Sequence, residues 1–171
     1  MFWELLGVVF AGVAAGGVAS LARRFLPVAP RWLVPVGAGG AMLLTAVSLE
    51  YSWFGRTTAG LPDRVAVAMT NQSRAPWRPW TYVAPYTDRF VAVDQGSVLT
   101  HAEAPGTRIA DVLLFGRWNP PRRVRAAFDC EAGRRADLVE GASLGEGGAV
   151  VGARWHETGL DDPVTRLACA A

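Results

Sequence analysis

Lysine is missing altogether: the seventeen basic residues of this 171-residue chain are all arginine, set against fifteen Asp plus Glu and two histidines. So uniform a choice reflects a GC-rich coding bias and assigns no phosphate-binding role. A basic excess is lacking as well, since residues 51–171 hold fourteen Arg against thirteen acidic residues. Nucleic-acid binding needs several phosphates neutralised from one face, so no nucleic-acid partner is expected. Histidine is limited to His101 and His156, with Glu103 and Glu157 close to them in sequence. A zinc site needs three or four converging ligands, and neither H-x-x-x-H nor H-x-E-H spacing occurs. Both are expected to be surface or cap histidines, with no metal and no cofactor.

Catalytic motifs are equally scarce. Ser97, Thr100 and Ser143 lack the G-x-S-x-G surroundings of an exposed nucleophile. Gly145-Glu146-Gly147-Gly148 has no helix opening after it and reads as a turn, not a phosphate cradle. Asp161-Asp162 stands before Pro163, where an N-cap of a short helix is expected before a catalytic carboxylate pair. The chain is therefore expected not to be an enzyme.

Charge is rarest at the front. Residues 1–50 carry only Glu4, Arg23, Arg24, Arg31 and Glu50. From Phe2 to Ala22 the sole charge is Glu4, and twenty-one helical residues at 1.5 Å each reach about 30 Å, the thickness of a bilayer's hydrocarbon core. Leu33 to Leu49 is an uncharged second run, flanked by Trp32 and by Tyr51, Trp53 and Phe54, rings suited to the membrane interface. The expectation is a two-helix transmembrane hairpin over 1–50, with spans at about 2–22 and 33–49. Its turn, 23–32, contains two prolines and three arginines, which places it in the cytoplasm and both termini outside. A cleaved signal peptide would want basic residues before the apolar run, and this chain has Glu4 there. Gly7, Ala11, Gly12, Ala15 and Gly16 form a small-residue ridge on the first span, suited to close packing on the second span or on another membrane protein.

After Glu50 the pattern turns to short alternating runs broken by turn residues, as in Arg123-Val124-Arg125-Ala126-Ala127-Phe128. Strands are expected at 65–69, 81–84, 89–93, 97–100, 109–118, 122–128, 136–139 and 149–155. Turns are expected at Asp94-Gln95-Gly96, Ala104-Pro105-Gly106, Asn119-Pro120-Pro121 and Gly145-Glu146-Gly147-Gly148. The fold class is thus a membrane-anchored α+β chain: the hairpin, an interfacial aromatic and Pro-rich segment with the first strands over 51–86, and a small antiparallel β domain over 87–171. Cys130 and Cys169 are the only cysteines, and both fall in the outer part. One structural disulfide is the natural inference, because a metal pair or a redox thiol would want C-x-x-C spacing or nearby histidines.

The run Val91-Ala92-Val93-Asp94-Gln95-Gly96-Ser97-Val98, the strand ending Phe115-Gly116-Arg117-Trp118, then Phe128-Asp129-Cys130-Glu131, Trp155 and Leu167-Ala168-Cys169 resemble the bacterial surface-adhesin E-like extracytoplasmic domain over roughly 87–169. That resemblance implies a compact antiparallel fold with one terminal disulfide; the two-span hairpin departs from it. The whole layout, with Glu50-Tyr51-Ser52-Trp53-Phe54 and Pro76-Trp77-Arg78-Pro79-Trp80-Thr81-Tyr82, also resembles uncharacterised inner-membrane proteins of alphaproteobacteria. This implies a bacterial inner-membrane location with a periplasmic domain and no activity.

Trp77, Arg78, Trp80, Tyr82 and Tyr86 lie among prolines in a segment too proline-rich for a central strand, and aromatics with Arg are enriched at binding hot spots. They are the candidate partner-binding surface; packing over the sheet's end or at the membrane interface would suit the same rings. Arg117, Arg122, Arg123 and Arg125 form a second group, suited to anionic headgroups, an acidic partner or a solvated strand face. The expected partners are the lipid bilayer and another membrane or periplasmic protein, for a non-enzymatic accessory role. The alternatives are a membrane-tethered lipid- or small-ligand-binding module and an envelope hydrolase.

Overall fold

A computed structural model describes residues 2–26, 28–102, 104–139, 142–145 and 150–171. The chain forms two compact units, Met1–Arg56 and Thr57–Ala171. Residues 146–148 of the turn expected over Gly145–Gly148, the start of the strand expected at 149–155, and Glu103 beside His101 lie outside the described residues.

Helix α1 spans Phe2–Phe25 and α2 spans Leu33–Ala59. Both are long and apolar enough to cross a membrane by length and composition. Only Gly12 and Gly16 of α1, and no residue of α2, are buried. The helices meet through the small-residue ridge. A Cβ at Gly12 would fall 2.5 Å from Met42 Cγ, Gly16 faces the Ala38 Cβ at 3.5 Å, and Gly37 faces that of Ala19 at 3.6 Å. Gly7 takes no part, since nothing lies within 4 Å of its Cβ position. At the ends of the helices away from their connection, the Arg56 guanidinium reaches Glu4 Oε1 at 3.3 Å. Each of the two charges also suits the dipole of its own helix terminus. Helix α2 continues ten residues past Leu49, because no proline intervenes before Pro62.

The second unit is an antiparallel meander. Strands β1 (Val65–Ser73), β2 (Tyr86–His101), β3 (Ala104–Gly116), β4 (Asn119–Asp129), β5 (Arg134–Asp137) and β8 (Trp155–Glu157) form one sheet in that order; β6 (Ser143–Leu144) and β7 (Val150–Val151) pair separately. Within the segment 51–86, α2 runs on to Ala59 and β1 pairs with β2 along its whole length. Helix α3 (Pro163–Ala170) follows all the strands and covers one face of the sheet. Val164 and Ala168, one helical turn apart, pack against Val93, Ala110, Val112, Ala126 and Phe128. Asp162 caps this helix, its carboxylate accepting from Thr165 N at 2.9 Å, with Pro163 in the first turn. Cys130, just after β4, is bonded to Cys169 in α3 across a separation of 39 residues.

Four local expectations are corrected. Thr81–Ala84 is not a strand: Pro79 opens a 3-10 turn over Pro79–Tyr82. Asp94-Gln95-Gly96 does not reverse the chain. Asp94 Oδ1 accepts from Gly96 N, Ser97 Oγ donates to Asp94 O, and Ser97 Oγ accepts from Asp111 N. These bonds replace ladder bonds across a bulge inside β2. Ala104-Pro105-Gly106 lies in β3. Asn119-Pro120-Pro121 opens β4, and the two-residue turn falls on Arg117-Trp118 instead. The prolines are tolerated there because β5 pairs with β4 only from Ala126 to Asp129 and, on the other edge, the β3–β4 ladder shifts register between Leu114 and Gly116, passing over both prolines.

Candidate interaction surface at the tip of the sheet

Ser73 pairs with Tyr86, Arg89 with Gly116, and Gly116 with Asn119. The loop 74–85 and the β3–β4 turn therefore share one end of the sheet, where Arg117 N donates to Asp88 O at the start of β2 at 2.8 Å. Nine residues of β1, at about 3.3 Å each, separate this tip from the end at which the chain enters the sheet.

The loop holds its own shape. Thr81, fully buried, uses its hydroxyl to accept from Ala75 N at 3.0 Å and to donate to Arg78 O at 2.7 Å, while Ala75 and Arg78 form a bridge. With these polar groups satisfied inside, the rings are turned outward. Trp77 is 76 % exposed, Trp80 42 %, Tyr82 56 % and Val83 91 %. Packing of Trp77 over the end of the sheet is thereby excluded. Arg78 lies over the half-buried Tyr86 ring, 5.7 Å from its centroid. Trp118 adds a further exposed indole on the neighbouring turn, with Arg117 5.0 Å above it.

The second arginine group does not act as one. Arg123 and Arg125 share a strand face with Asp111, which they approach at 3.6 and 3.0 Å. The Asp111 carboxylate is buried beneath them and holds the Arg125 guanidinium above its ordinary pKa, chiefly through their hydrogen bond. Asp111 pairs in register with Asp94, itself buried and joined to Arg64 at 3.2 Å. This ion network was not singled out from the sequence. Its only local signal is the alternation of Arg123 and Arg125, because the partner carboxylates arrive through β2–β3–β4 register. Arg122, by contrast, lines a cleft at the tip of about 340 Å³ with Arg89, Phe90, Phe115, Asn119 and Pro120. Phe90 and Phe115 stack there with centroids 4.5 Å apart.

The remaining candidates lie elsewhere. His101 and His156 are exposed on β2 and β8, and among the described residues no three His, Cys, Asp or Glu side chains group around a common point. A smaller cleft of about 190 Å³ opens beside the start of α3, floored by Met69, Val91, Val112, Leu114 and Val124. Below the core, Asp129 caps the β4–β5 turn. Its carboxylate accepts from Ala132 N and Glu131 N and pairs with Arg134 at 2.6 Å, and these bonds hold its pKa below the usual carboxylate value, Ala132's amide foremost. No family model, curated protein or solved structure matches the chain.

Proposed function

We propose that this chain is a non-enzymatic accessory protein of the bacterial inner membrane, anchored by α1 and α2, whose β unit binds a partner protein through its aromatic tip. The observation that carries the reading is the outward display of Trp77, Trp80, Tyr82 and Val83 on a loop whose own polar groups are satisfied by Thr81. Rings held rigidly in water give large contact area at low entropic cost on binding, which is why Trp, Tyr and Arg concentrate at hot spots. Anchoring is supported by two helices that are apolar all round and almost unburied, a pattern that water does not sustain and hydrocarbon does. The arginines of the connecting turn orient the hairpin with that turn in the cytoplasm. From the surface-adhesin E-like resemblance the proposal takes only an extracytoplasmic place for the β unit.

The small-ligand reading has two clefts in its favour, that of about 340 Å³ at the tip and the smaller one beside α3. The second, at about 190 Å³, lies below the range of roughly 300 to 1,000 Å³ usual for ligand pockets, and the first lies within it. Purification of the full chain in mild detergent, from wild type and from Trp77→Ala/Trp80→Ala, tests the leading reading. A stoichiometric protein should accompany the wild type and be lost from the variant, with the Cys130–Cys169 bond intact in both. Equal recovery from both would refute the role given to the tip.

A further inference from the structure

The even charge balance of the β unit conceals a dipole. Within residues 73–90 and 114–122, which build the tip, there are five arginines, Arg74, Arg78, Arg89, Arg117 and Arg122, and a single acid, Asp88. Elsewhere in the unit five arginines are matched by carboxylates: Arg64 by Asp94, Arg123 and Arg125 by Asp111, Arg134 by Asp129, Arg135 by Asp137. At the tip Arg89 is ion-paired with the adjacent Asp88 at 3.8 Å, and that carboxylate also accepts from Asn71 at 3.0 Å. Arg74 and Arg122 are exposed and no carboxylate among the described residues pairs with them.

Resting on the reading of the tip as a protein-binding surface, we propose that its partner presents an acidic segment, in which carboxylates flank an aromatic or branched apolar side chain. The carboxylates meet Arg89 and Arg122, and the apolar side chain enters the cleft between them, against Phe90, Phe115 and Pro120. Guanidinium groups suit this task because their planar fork accepts a carboxylate bidentately. Arg78 and Arg117 stack over Tyr86 and Trp118, 5.7 and 5.0 Å from the ring centroids. The same stacking argues against insertion of the tip into lipid: driving the rings toward hydrocarbon would carry charged guanidinium groups with them, which is costly away from the interface. A solvent-facing protein contact carries no such cost. Opposite charge also steers encounter, so association should weaken as salt screens the field.

The test uses the full chain in nanodiscs of zwitterionic phosphatidylcholine, with a fluorescent peptide Asp-Glu-Phe-Asp-Glu as probe, its Lys-for-acid counterpart as control, and phosphatidylglycerol vesicles as a third arm. The acidic peptide should bind, weaken with salt, and lose at least about fivefold in affinity in Arg89→Ala/Arg122→Ala; Arg122→Lys should restore part of it. Equal binding of both peptides, or of neither, overturns the proposal. Binding of the vesicles alone, lost in the double Arg variant, overturns it in favour of a lipid contact. If the copurifying protein is lost in Trp77→Ala/Trp80→Ala but is indifferent to salt and to Arg89→Ala/Arg122→Ala, the acidic-segment proposal fails while the protein-binding reading stands. If the tryptophan variant also retains it, both fail.

Discussion

Cutting the Cys130–Cys169 bond by a Cys130→Ala/Cys169→Ala double substitution should remove a large part of the β unit's stability. In the chain-entropy treatment, a loop closed over 39 residues restricts the unfolded chain by about 13 cal/mol/K, or about 4 kcal/mol at 25 °C. Both cysteines also pack against the core cluster around Phe128 and Val164, so their truncation adds a smaller packing loss. A unit of this size has on the order of 5 to 15 kcal/mol in all. Limited proteolysis of the full chain in nanodiscs across a urea series should show the unit's midpoint falling by about 2 M, at a slope of roughly 2 kcal/mol/M. The α1–α2 fragment should persist, because its backbone hydrogen bonds are all internal to the helices. In intact cells neither wild-type thiol should react with a maleimide, whereas Cys169→Ser should expose one thiol at Cys130. A midpoint shift under about 0.5 M would refute the loop argument, and two freely reacting wild-type thiols would refute the oxidising location assigned to the unit.

Four further outcomes are expected. A reporter active only in the periplasm should work when fused after Ala171 and be silent within residues 27–30; the opposite pattern would reverse the assigned orientation. Gly12→Leu should loosen the α1–α2 hairpin against protease in detergent, since Met42 occupies the space, whereas Gly7→Leu should not. Gly133→Ala should cost about 1 to 3 kcal/mol in the urea assay, because Gly133 sits at φ +64° and an added Cβ would lie 2.9 Å from Leu160 N. Asp129 is a carboxylate with a depressed pKa, so its contribution is complete above the unfolded value near 3.9 and fades as pH falls through the folded value. Asp129→Asn should be less stable than wild type at pH 6 and lose less between pH 6 and pH 3.

The long apolar helices were legible because their signal is continuous and local, and the disulfide because two cysteines leave one pairing. Strand positions were largely legible from alternation, but the sites of chain reversal were not. Asp94-Gln95-Gly96 and Asn119-Pro120-Pro121 carry turn chemistry that the fold uses for a bulge and for an unpaired strand edge, and only the neighbouring strand decides between those uses. At the tip, the sequence marked Trp77, Arg78, Trp80, Tyr82 and Tyr86. It could not separate Arg122 from Arg123 and Arg125, because Asp111 reaches the latter pair through β3–β4 register.

The position of α3 has a consequence in time. Every strand of the sheet precedes the helix that covers its apolar face, so the core cannot close until residues 163–170 have emerged. Cys130 likewise waits 39 residues for Cys169, about 2 to 8 s at ordinary synthesis rates of roughly 5 to 20 residues per second. With one partner thiol in the chain, the hazard in that interval is not misconnection within the molecule but capture by another molecule's sulfur. A meander whose lid comes last is therefore kept open through most of its own delivery, a state compatible with passage of an unfolded segment across a membrane.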